Sequence, residues 1–210
     1  MRKVSEKNSG SSRLLVLAAI VMCVVFAETC KRTTTTGGGI DILGSSDQTA
    51  DAGQVVADAN EDLKKIKVLY DNNIDKREDL KKALEANNAA DVKRLSGEIV
   101  DLISDGKANG TDALTKLQKA QEMQINDDYR EYLRLKEESI KKELDAFENY
   151  RQAARTLRDN YDPKNSSVRD KVKEDFKARS DNYSKIMDSA RADSAQANVI
   201  AKSALNKQSN

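Results

Sequence analysis

Few residues in this sequence are suited to covalent or metal chemistry. Cys23 and Cys30 are its two thiols, and it has no histidine. Without imidazole the chain lacks the commonest metal ligand and the side chain most used as a general base near neutral pH. Carboxylates are plentiful, with 35 Asp and Glu, and adjacent pairs such as Asp127/Asp128 and Glu137/Glu138 offer the oxygen ligands a hard cation takes. Neighbours on a helix point about 100° apart, however, so these pairs read as solvated surface charge. The Gly37-Gly38-Gly39 run lacks the preceding strand, the lysine and the following helix of a phosphate-binding loop. Asn109, Asn165 and Asn182 head Asn-x-Ser/Thr triplets, which act as glycosylation acceptors only in a host that glycosylates its exported proteins. No catalytic, cofactor-binding or metal-ligating set emerges, and the expectation is a protein that is not an enzyme and carries no cofactor.

Both thiols lie in or beside an amino-terminal segment of distinct composition. Arg2, Lys3, Lys7 and Arg13 precede an uninterrupted apolar run from Leu14 to Ala27 (LLVLAAIVMCVVFA). These are the charged and apolar regions of a secretory leader, expected over residues 1–29. A permanent span needs about 20 apolar residues, so a short membrane anchor is the lesser alternative. Two maturation routes are open. Val25 and Ala27 present modest or small side chains at the −3 and −1 positions before Glu28, which suits cleavage between Ala27 and Glu28. Cys30, placed just after the apolar run, resembles the lipidated cysteine of bacterial lipoproteins, whose thiol carries a diacylglycerol. Ala27, Glu28 and Thr29 stand where that family usually has an aliphatic residue and two small ones. The resemblance implies an envelope location and attachment to a membrane through Cys30.

Residues 30–46 contain four consecutive threonines and three consecutive glycines, the composition of a flexible tether. Beyond them, helical periodicity dominates residues 47–206. The first segment, 47–72, carries Val55, Ala59, Leu63 and Ile66 on one stripe and ends at the polar triplet Asp71-Asn72-Asn73. Asp75, followed three residues later by Glu78, reads as a capping box opening a second helix that stops at Gly106. A third helix is expected from Thr111 to Tyr161, bending within the polar stretch 118–128. Its heptad of Leu133, Ile140, Phe147, Ala154 and Tyr161 has the repeat of a coiled coil. Asp162-Pro163 stops it, and Ser166 or Ser167 caps a fourth helix. Tyr129, Tyr132, Phe147, Tyr150, Tyr161, Phe176 and Tyr183 are expected to fill the seam between the last two helices.

The elements therefore predict an all-α fold, an elongated coiled-coil-like bundle of about four antiparallel helices behind a flexible linker. With 34% charged residues, 4% aromatics and one proline, the composition suits narrow apolar seams rather than a thick core. The formal net charge of +1 gives no bulk electrostatic basis for nucleic acid binding. The partners expected are a membrane, through the amino-terminal anchor, and proteins or a second copy of the chain, through the helical faces.

Overall fold

The computed structural model describes residues 47–208. The leader, the tether, Cys30 and the alternative cleavage position at Ala27 and Glu28 lie outside the described residues. Four helices run in sequence, α1 (Thr49–Glu85), α2 (Ala89–Gln121), α3 (Asp127–Asn160) and α4 (Ser166–Gln208), with no strand among the described residues. They hold 37, 33, 34 and 43 residues, which makes them rods of about 50–65 Å. Close backbone packing is sequential: α1 on α2, α2 on α3, α3 on α4. The fold is the expected all-α bundle of antiparallel helices.

Heptad spacing explains why the rods adhere. On α1, Ala52, Ala59, Ile66, Asn73 and Leu80 recur every seven residues, interleaved with Val56, Leu63, Tyr70, Arg77 and Leu84. This is the alternation that keeps one seam facing a neighbouring helix. On α2 the buried positions Val92, Ser96, Ile99, Ile103, Gly106, Gly110, Ala113, Leu117 and Ala120 follow the same alternation. The expected α3 heptad is buried throughout, from Leu133 to Tyr161.

The turns correct the expected boundaries. α1 runs straight through Asp71-Asn72-Asn73 and through Asp75, where a turn and a cap were expected. It ends at residues 86–88, where Asn87 takes a left-handed conformation with φ 52°. Asn87 N–H donates to Leu84 O and Asn88 N–H donates to Ala83 O at 2.9 Å, the paired bonds of a Schellman termination. Asn88 then caps α2, accepting from the Asp91 amide. α2 likewise passes through Gly106 and Thr111, and the stretch expected only to bend contains the α2–α3 turn, with Asn126 capping α3 by accepting from Tyr129 N–H at 2.8 Å. Asn165, rather than Ser166 or Ser167, accepts from Val168 N–H at the start of α4.

These turns fix the two ends of the rod. At one end the chain enters α1 against the α2–α3 turn, with Gln48 N–H donating to Gln124 O at 2.7 Å and Asn126 N–H donating to Thr49 Oγ1 at 3.2 Å. At the other end Lys173 of α4 donates to Leu84 O at 2.7 Å and to Asn87 Oδ1 at 2.9 Å, and Tyr161 OH donates to the same Asn87 oxygen. The apolar core divides accordingly. The distal cluster draws on all four helices, including Leu80, Ile99, Leu157 and Met187. The cluster at the entry end, with Val56, Leu117 and Leu133, contains no residue of α4 among the described residues.

Candidate functional site

The most site-like feature is a cavity of about 30 Å³ midway along the rod, where side chains of all four helices converge. α1 brings Tyr70, Asn73 and Arg77 to it on consecutive heptad positions, α3 brings Tyr150, and α4 brings Tyr183. On α2, Gly106 forms part of the wall; a Cβ there would meet only Leu69 Cδ1, at 4.0 Å, so the missing side chain contributes to the open space.

The electrostatics of this cavity are unusual. The Arg77 guanidinium carbon lies 4.9 Å from the Tyr150 ring centroid and 5.4 Å from that of Tyr183. The centroids of the two rings are 5.3 Å apart with the planes tilted at 45°, and the Tyr150 and Phe176 centroids are 5.8 Å apart. Aromatic faces attract a cation, but none of the residues lining the cavity is a carboxylate. Asn73 is 7% exposed, and its Oδ1 is buried without a hydrogen-bond partner. Burial pushes the Tyr150 and Tyr183 hydroxyls above their ordinary range, with Arg77 acting in the opposite direction. Both phenols are therefore neutral at physiological pH, and the Tyr150 oxygen accepts a hydrogen bond from the Arg77 guanidinium. The site has the chemistry to hold a polar or anionic group.

Other expected features fall elsewhere. Asp127 pairs with Arg130 at 3.2 Å on the surface. Glu137 accepts from Gln118 and Gln121 of α2, whereas Glu138 pairs with Arg134, so the adjacent carboxylates diverge as their helical spacing requires. Among the described residues no group of His, Cys, Asp or Glu is arranged to hold a metal ion, and no helix is long and apolar enough to cross a membrane. Asn109 lies inside α2 rather than in a turn, its amide donating to Asp105 O. The aromatic seam is real only in part. Tyr150, Phe176 and Tyr183 join α3 to α4, but Tyr129 and Tyr132 stack on each other, with ring centroids 5.6 Å apart, beside the three-helix cluster at the entry end. Burial there pushes the Tyr129 hydroxyl up to about 12.

Asn73 and Arg77 escape sequence reasoning because polar side chains interrupt the apolar stripe and suggest a turn. The signal that finds them is the heptad itself, which continues from Ile66 through Asn73 to Leu80, and from Tyr70 through Arg77 to Leu84.

No protein-family model, no curated protein and no solved structure matches the chain.

Proposed function

We propose that this chain is an exported cell-envelope protein whose helical rod serves as a structural or protein-interaction module held to a membrane by its amino terminus. In this reading residues 1–29 direct export, Cys30 carries the lipid anchor, and residues 30–46 separate the rod from the surface. The observation that carries the reading is end-on entry. Gln48 and Thr49 are fastened to the α2–α3 turn, so a tether joined there meets the rod at its tip. The opposite tip, built from residues 86–88 and 161–165, then stands about 50 Å farther out. Sides rich in paired charges, such as Glu131, Arg134 and Glu138, suit selection of a protein partner or a second copy through the helical faces. The reading is non-enzymatic and involves neither a cofactor nor nucleic acid.

Intact mass of the protein isolated from its host is the test. A chain beginning at Cys30 and carrying acyl groups is the expected result. A chain beginning at Glu28 without lipid overturns the anchor and leaves a soluble periplasmic or secreted helical chaperone or binding protein as the reading to pursue.

A further inference from the structure

Arg77 occupies a core position of the α1 heptad, flanked by Tyr150 and Tyr183, without a carboxylate lining the same cavity. The guanidinium is half-buried and donates to the Tyr150 hydroxyl, but no counter-charge lines the cavity with it, and desolvation of an unpaired ion is costly. One helical turn earlier, on the same face, the Asn73 amide makes no hydrogen bond among the described residues, and its Oδ1 is fully enclosed. Rotation of this amide about its last side-chain bond exchanges oxygen for NH2 within the same outline. That rotation sacrifices no hydrogen bond among the described residues and turns a donor toward the cavity. The guanidinium and the amide then form a pair of donors around about 30 Å³ of space. Such a volume accommodates one or two waters or a group of similar size.

The geometry points to a binding site for a small monovalent anion, a halide or a single carboxylate group, held between the Arg77 guanidinium and the Asn73 amide in the four-helix cavity. Charge selects an anion over a cation. The volume matches one small group at a time. The site is independent of the leader and of any anchor.

Bromide is the direct probe, because it scatters anomalously and can be located in crystals of the mature protein grown in sodium bromide. The expected result is an anomalous peak in the cavity, in contact with guanidinium nitrogens, that is absent in Arg77→Met crystals. In solution, the melting temperature is expected to rise with bromide concentration relative to gluconate at equal ionic strength. Asn73→Leu, which fills the cavity while keeping the cation, should flatten that difference and serves as the test if Arg77→Met does not fold. Loss of the bromide peak on adding formate identifies a carboxylate as an acceptable ligand, and persistence of the peak identifies a halide; either outcome supports the site. Water alone in the cavity, or a bromide response unchanged in Asn73→Leu, overturns it.

Discussion

Two glycines on one face of α2 illustrate how a single missing methyl can act in opposite directions. Gly106 and Gly110 both cost helix stability, by about 1 kcal/mol relative to alanine. A Cβ on Gly106 would touch only Leu69 Cδ1 at 4.0 Å, whereas one on Gly110 would lie 2.6 Å from Leu144 Cδ2 and 3.4 Å from Leu144 Cγ. Gly106→Ala is therefore expected to stabilise the protein by about 0.5–1 kcal/mol. Gly110→Ala, which must displace Leu144 from between α2 and α3, is expected to destabilise it by about 1 kcal/mol. Thermal melts of the two variants read the difference, and equal shifts in the same direction would contradict this packing. Asn87 is a comparable single-residue device at the distal end. Alanine there must hold φ near 52° and leaves Tyr161 OH and one Lys173 bond without their acceptor. Asn87→Ala is expected to cost about 2 kcal/mol in denaturant titration. Asn87→Gly, which adopts this backbone freely, should cost less.

At the scale of the helix, the sequence revealed the number and type of elements but not where the first two turns fall. Periodicity was sufficient for the former because all four helices keep a heptad. Turn placement failed because local signals were outweighed by packing. Gly106 resembles a stop, yet in α2 it gives room where side chains of all four helices converge. Asn87 and Asn88 lie in a run that resembles weak helix, yet their side chains terminate one helix and start the next. Pro163 was legible because its missing N–H acts locally whatever packs around it. The candidate site was illegible for a related reason: its identity depends on α1, α3 and α4 meeting at one level, and no local window contains that information. α3 also shows how a helix differentiates its two faces. Glu148, facing α2, is bonded to Arg151, Lys107 and Gln152, and these partners hold its carboxyl down at about 2 despite partial burial. Glu143, facing α4, is pushed above its ordinary range by burial, with Lys136 and Arg191 opposing the shift. The depressed group contributes stability above its unfolded value near 4.5, and that contribution disappears as pH falls toward about 2. The raised group has the opposite sign, favouring the fold at low pH and losing that contribution as pH rises through its folded value. Glu148→Gln is thus expected to lose about 1–2 kcal/mol at neutral pH and to flatten the acid limb of the stability profile. Glu143→Gln should gain stability at neutral pH, and urea midpoints measured from pH 2 to 7 test both signs.

Across the whole molecule, the rod is not equally held along its length. Its distal half is a four-helix core in which Val172, Tyr183 and Met187 of α4 pack among residues of the other three helices. In the entry half the main apolar cluster is formed, among the described residues, by α1, α2, α3 and Ile125, without α4. There the residues α4 buries are small, Ala190, Ser194 and Ala197. Ser139 donates to Ala190 O at 2.8 Å, and Lys142 pairs with Asp193 at 2.6 Å. Small side chains bury little apolar area, so this portion of α4 should open more readily than the helices beside it. Amide exchange beyond residue 190 is expected to be about tenfold or more faster than in α2 and α3 at the same level. A chain ending at residue 189 should still unfold cooperatively, because Tyr183 and Met187 remain in the distal core. Ending the chain at residue 170 removes Val172, Tyr183 and Met187 together and should abolish that cooperativity. If the 189-residue chain melts as broadly as the 170-residue chain, the two halves of the rod are one core and the division described here fails. If it melts sharply, the carboxy-terminal part of α4 is an appended helix on a bundle whose stability resides elsewhere.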